Sequence, residues 1–139
     1  MSQRVRINRS GEFLAASEHT EAGLVDAGSI TSFAQLDELL ILPVVRFAAD
    51  SFADGRALSL ARQLRLRGFN GEVELVGDIL PDQLPMAVAA GFDVVEISEA
   101  HAARCNEAQW ISKATASRFG YQRAVGRAET SRASDAGIA

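Results

Sequence analysis

Between Leu42 and Ser98 the hydrophobic period switches repeatedly between strand-like and helix-like, and this alternation restricts the fold more than any other feature. Leu42-Pro-Val-Val-Arg-Phe47 is an apolar run of strand length, with Pro43 at its start, where a missing N–H is tolerated. From about Ala57 to Arg67, Ala57, Leu60, Ala61 and Leu64 recur at helical spacing, and Gly68 supplies a C-terminal stop. Glu72 to Val76 reads as the next strand. Asp82 to Ala90 reads as a shorter helix closed by Gly91, and Phe92 to Ile97 as a third strand. Residues 99–118 predict one longer helix, with Ala100, Ala103, Trp110 and Ala114 on its buried side and Gly120 closing it. The resulting β-α-β-α-β-α order predicts an α/β fold with a parallel sheet and right-handed crossovers. Three such units make about half of an eight-unit barrel. They also make most of a small doubly wound sheet. Spacing alone leaves both open. A half-barrel would expose sheet edges that need covering, so it implies a homodimer or another partner, whereas an open sandwich requires neither.

The N-terminal region is less regular. Val5 and Ile7 alternate with Arg4, Arg6 and Asn8, a half-buried strand period, and Ser10-Gly11 predicts a turn into a return strand at Phe13-Leu14. Residues 16–30 are rich in Ser, Glu, Gly and Asp and read as a loop. Ser32 with Gln35 fits a capping box ahead of a short helix whose apolar side is Ala34, Leu36, Leu39 and Leu40. After Tyr121 little remains to bury. One domain over residues 1–122 with a disordered tail over 123–139 is expected.

Composition excludes several classes. At 139 residues and 47% hydrophobic, the chain can bury a core without disulfides or a structural metal. A single cysteine, Cys105, rules out an intrachain bridge. No apolar run approaches bilayer length, and the start, Met-Ser-Gln-Arg-Val-Arg, has no apolar signal core. A cytoplasmic protein without membrane partners is expected. A net charge of −4 argues against nucleic acid as a partner. The thirteen Arg against one Lys read as genome composition rather than a chemical demand.

Ligands of parallel α/β folds bind at the C-terminal ends of strands. Those ends supply Arg46, Asp50, Ser51, Asp54, Gly55 and Arg56, then Gly77, Asp78, Asp82 and Gln83, then Glu96, Ser98 and Glu99. Each has a bland reading as well. Asp54, Asp78, Asp82 and Ser98 can cap helices, and Gly55 can ease a tight turn. Arg56 resists that reading, because a cation at a helix N-terminus opposes the dipole. It calls for a carboxylate partner (Asp50, Asp78 or Glu96) or an anionic ligand. The catalytic candidates are therefore Asp54, Arg56, Asp78 and Gln83, with Arg56 and Gly55 as anion-binding groups and Asp50 and Glu96 in support. No metal loop is recognisable. His101 and Cys105 share a helix face, but two ligands do not make a zinc site, and a mid-helix Cys105 reads as packed and inert. No flavin, haem, iron–sulfur or nicotinamide motif is evident, so no cofactor is expected. Trp110 and the scattered Phe read as core.

Several motifs occur together and in order: Phe52-Ala-Asp-Gly-Arg56 with Ser59 and Ala61-Arg62, then Leu64-Arg65, Gly71-Glu72, Gly77-Asp78, Asp82-Gln83, Gly91-Phe-Asp93 and Tyr121-Gln122. In these the chain resembles the bacterial domain-of-unknown-function family 934, as a divergent member. Pro81 stands where that family tends to have Arg, Glu74-Leu75 where it tends to have Arg-Ala, and Ala90 where it often has Cys. The resemblance implies an accessory or oxidoreductase-like protein associated with assimilatory sulfite reduction. Sulfite reductase, or another sulfur-assimilation enzyme, would be its partner. Two alternatives stand beside it: a non-catalytic binding or assembly subunit docking on a partner enzyme, and a small half-barrel enzyme using strand-end carboxylates.

Overall fold

A computed structural model describes residues 4–14, 23–49 and 55–116. Within them the chain forms one six-stranded sheet in the order β2-β1-β6-β5-β4-β3. The strands are β1 (Arg4–Asn8), β2 (Phe13–Leu14), β3 (Leu24–Asp26), β4 (Val44–Ala48), β5 (Glu72–Val76) and β6 (Val94–Ser98). β3 to β6 are mutually parallel. β1 runs antiparallel to β6, and β2 returns antiparallel to β1. The α/β class and its parallel core are as the sequence predicts. The parallel strands follow chain order without reversal. A singly wound sheet, such as a segment of a barrel, has that order, whereas a doubly wound sheet reverses at a switch point.

Alternation along the strands separates two faces. Val45, Phe47, Val73, Leu75, Val95 and Ile97 point to one face and are fully or almost fully buried. They share one core with Leu60 and Leu64 of α1 (Arg56–Leu66) and Leu84 and Ala87 of α2 (Leu84–Ala90). Phe47 meets Phe92 edge-on at 6.4 Å between ring centroids. The opposite face carries Arg4 and Arg6, Arg46, Glu72 and Glu74, and Glu96. A one-residue slip of any central strand would drive these charges into the apolar core, so the alternation fixes register.

The segment after Ser32 carries the expected capping box and forms the expected short helix, Phe33–Leu39, in 3-10 form. Three local readings need correction. Residues 16–30 contain an edge strand, β3, because Leu24-Val25 pairs with β4 despite its polar surroundings. The helix assigned to Asp82–Ala90 opens with a separate 3-10 turn, Pro81–Gln83, since Pro81 and Pro85 both lack a donor N–H. The long helix over 99–118 is in fact two. α3 (Glu99–Arg104) stops at Cys105, and Asn106 starts a new helix, α4, over 107–116. Asn106 Oδ1 accepts from the Gln109 N–H at 3.2 Å while Gln109 Oε1 accepts from the Asn106 N–H at 3.0 Å. That reciprocal cap makes the break locally stable. Cys105 is therefore a half-buried helix terminus rather than a mid-helix residue. Trp110 lies in the core as expected, and its indole N–H donates to the Cys105 carbonyl at 2.8 Å. The reading of 123–139 as a disordered tail lies outside the described residues, as does Tyr121-Gln122.

Candidate functional site

The described members of the predicted constellation sit at or near the C-terminal ends of β4 to β6, and Arg56, Asp78, Gln83 and Glu96 are each bound to neighbouring chain. Gly55 begins α1 with φ +72°, a backbone state that favours glycine, and offers no side-chain cap. Arg56 Nη1 donates to the Ile30 carbonyl at 2.7 Å, joining the start of α1 to the segment that follows edge strand β3. Asp78 accepts from Ser98 twice: from the N–H at 2.6 Å and from the hydroxyl at 2.8 Å. Ser98 Oγ in turn accepts from the His101 N–H at 3.2 Å, capping α3. Asp78 thus holds the cap of the last strand–helix junction and does not cap the helix that follows it. Gln83 Oε1 accepts from the Leu80 N–H at 2.8 Å and takes the capping job expected of Asp78 and Asp82. Asp82 reaches Lys113 at 3.1 Å on the surface. Asp50, Ser51 and Asp54 lie outside the described residues.

Glu96, expected behind Arg56, faces Arg46 and Arg4 instead. Arg46 Nη2 lies 2.6 Å from Glu96 Oε1, and Arg46 Nε lies 3.0 Å from Glu74 Oε1. Arg4 Nε approaches Glu96 Oε2 at 3.0 Å. Arg6 Nη2 bonds Glu74 Oε2 and lies 3.6 Å from Glu72 Oε2. The result is a continuous alternating ladder, Arg4–Glu96–Arg46–Glu74–Arg6–Glu72, laid across four strands. Its centre is dry: Arg46 is 3% exposed and Glu74 1%. Arg6 Nε is buried with no hydrogen-bond partner among the described residues. Sequence reasoning placed Arg46 and Glu96 at strand ends rather than on a sheet face and so missed the ladder. The available signal was the shared period of two in Arg-Val-Arg, Val-Arg-Phe, Glu-Val-Glu and Val-Glu-Ile.

A second polar cluster lies at the opposite ends of the strands. Arg65 spends every N–H of its guanidinium. Nε donates to Gly91 O at 3.2 Å, and Nη1 to Phe69 O at 3.0 Å and Gly71 O at 2.8 Å. Nη2 donates to Gly91 O at 3.0 Å and Asp93 Oδ2 at 2.7 Å. Asp93 Oδ2 also accepts from the Val73 N–H. Gly91 has φ +116°, and a Cβ there would approach Arg65 Cγ to 2.8 Å. Arg65, Gly71, Gly91 and Asp93, separate motifs in the sequence, are therefore one hydrogen-bonded clip.

Two carboxyls have displaced pKa values. Burial pushes Asp78 up, but the Ser98 N–H and hydroxyl bonds, helped by His101 and Arg4, outweigh it and hold the group below its ordinary 3.8. Glu72 is raised above 4.5, first by burial and then by Glu74 and Asp93, against the pull of Arg6. A depressed carboxyl stabilises the fold above its unfolded pKa, and that contribution is lost as pH falls through the folded value. Asp78→Ala should therefore cost about 1 kcal/mol near pH 7, the worth of a hydrogen-bonded cap. The gap to wild type should close as pH drops below 3.8 in urea titrations run across the acid range.

Against known families, the model for a bacterial protein family of unknown function, DUF934, matches residues 27–131. The chain belongs to the DUF934 family. No curated protein and no solved structure matches it. The match begins directly after β3 and runs past α4, so the clip and the four ladder residues on β4 to β6 (Arg46, Glu72, Glu74 and Glu96) lie inside the DUF934 region, while Arg4 and Arg6 lie outside it. Among the described residues no group of three or more His, Cys, Asp or Glu is arranged to hold a metal, and no helix is long and apolar enough to cross a membrane.

Proposed function

We propose that this DUF934 protein is a non-catalytic accessory subunit of assimilatory sulfite reduction that docks on a partner enzyme, sulfite reductase itself or a neighbour in sulfur assimilation. One observation supports docking over turnover: Arg56, Asp78 and Gln83, the described catalytic candidates, each bind backbone. A general acid or base needs an oxygen within reach of substrate. Both Asp78 oxygens already accept from Ser98, and Gln83 Oε1 already accepts from Leu80. The Arg56–Ile30 bond makes the Gly55-Arg56 surface continuous with the segment behind edge strand β3. A partner would use both together, pairing with the short edge and contacting the Gly55-Arg56 surface. The sulfur context comes from the family resemblance. In this reading the chain works in the cytoplasm without a redox group of its own.

The test is affinity purification of the tagged full chain from cells grown on sulfate. Sulfite reductase, or another enzyme of the same assimilation, should be retained in stoichiometric amount. Retention should fall with Arg56→Ala, whose fold is checked by its melting curve. Recovery of the chain alone under gentle, low-salt conditions counts against docking.

One specific feature favours a second reading. α1 starts on a glycine without a side-chain cap, next to Arg56, and helix N–H groups attract oxyanions. Calorimetric titration with sulfite, sulfate and phosphate separates the two: saturable binding lost in Arg56→Ala supports an anion site, and no heat supports docking alone.

A further inference from the structure

At the N-terminal ends of β5 and β6 an open cleft of about 710 Å³ is bordered by Arg9, Arg65, Glu72 and Asp93. Two of those charges are spent. All the Arg65 donors are engaged, and Asp93 Oδ2 holds both Arg65 and the Val73 N–H. The other two are only loosely held. Arg9 Nε lies 3.8 Å from Asp93 Oδ1, with its side chain 65% exposed. Glu72 Oε2 lies 3.6 Å from an Arg6 nitrogen that bonds Glu74 more closely, its carboxyl also meets the like-charged Glu74 carboxyl, and its side chain is 38% exposed. Neither arginine–carboxylate contact is a hydrogen bond. The walls between them are fixed, because the Arg65 clip ties down the Phe69, Gly71 and Gly91 carbonyls. Val88 adds an apolar wall and Asn70 a neutral amide.

One available cation and one available anion on a rigid rim match a ligand carrying both charges. We propose that this cleft binds a small zwitterion, of which an α-amino acid is the simplest, with Arg9 taking its carboxylate and Glu72 its ammonium. Val88 would contact the hydrocarbon part. The charges facing Glu72 suit an ammonium. Glu74 on the same strand and Asp93 before β6 are acidic, Arg6 on β1 is committed mainly to Glu74, and Arg65 is saturated. A cation bound at Glu72 offsets the burial and the Glu74 and Asp93 repulsion that raise its pKa. Affinity should therefore weaken as acid protonates Glu72, beginning at a higher pH than for an ordinary glutamate. This site is independent of the docking role.

The experiment is an amide NMR titration of the full chain with glycine and L-valine, using acetate and methylammonium as single-charge controls. Saturable shifts are expected at the Asn70, Gly71 and Gly91 amides with the amino acids alone, with affinity in the millimolar range. Arg9→Ala and Glu72→Gln should each weaken binding about tenfold, the worth of one charge-assisted hydrogen bond. The same spectra show whether each variant stays folded, and Arg9→Lys should recover part of the loss. The proposal is overturned if acetate saturates the site as well as glycine does, which would make it a simple anion site. It is equally overturned if no ligand gives saturable shifts, or if both charge-removing variants bind as wild type.

Discussion

Replacing Arg46 with alanine should destabilise the protein by roughly 3–5 kcal/mol, the cost of leaving buried charges without their counter-ion. Arg46 separates Glu74 from Glu96, and both carboxylates are buried with it. Without the guanidinium the two would repel one another where water cannot screen them. Urea unfolding at neutral pH reads the loss directly. The double variant Arg46→Leu/Glu74→Leu should lose less than Arg46→Ala, since it removes one charge of each sign and leaves Glu96 on Arg4. A double variant less stable than the single one would mean that the ladder is not the source of the effect. The ladder's contribution lies in specifying one strand register, because apolar side chains of similar volume could stabilise the face as well.

Arg65→Ala should cost about 3 kcal/mol, because three carbonyls and the Asp93 carboxylate lose their donor together. The clip joins the end of α1, the turn into β5 and the turn into β6, so its loss loosens all three junctions. Arg65→Lys keeps the charge but not the planar fork of donors, and should recover less than half of the loss. Amide exchange sharpens the test. The Val73 N–H, held by Asp93, should exchange markedly faster in Arg65→Ala, while the Ser98 N–H, held by Asp78 at the other end of the sheet, should not change. Uniform acceleration at both would show global destabilisation rather than loss of a local clip.

The fold was legible where one physical signal dominated. The helical spacing of Ala57, Leu60, Ala61 and Leu64 placed α1, and Gly68 and Gly91 marked helix ends correctly. β3 was hidden because three residues between polar segments carry no period; its pairing with β4 decides it. The division of residues 99–116 into α3 and α4 depends on Asn106, which looks like any polar residue on a helix until its reciprocal bond with Gln109 is seen.

For the candidate site, residue types were informative and partners were not. Arg56 was singled out as unsuited to a helix N-terminus, and one acceptor it does meet is a backbone carbonyl, Ile30, which no side-chain pattern announces. Asp78 was read as a cap for the helix that follows it, whereas it braces Ser98, the residue that caps α3. Its partner, Ser98, comes from the adjacent strand, 20 residues along the chain. Glu96 was expected beside Arg56 because strand ends were treated as one surface. Alternation along β6 puts Glu96 on the sheet face that carries Arg46. The motifs of the family resemblance were visible as a string, yet four of their residues act as the Arg65 clip, a structural unit.

The docking proposal holds that Arg56, Asp78 and Gln83 shape a binding subunit and take no part in turnover. Growth of a deletion strain on sulfate as sole sulfur source, complemented with folded and normally abundant Asp78→Asn or Gln83→Ala protein, tests it most directly. Loss of growth on deletion, rescued by a reduced sulfur source, with both variants restoring growth on sulfate, is the predicted result. Failure of either folded variant to restore growth on sulfate would contradict the account.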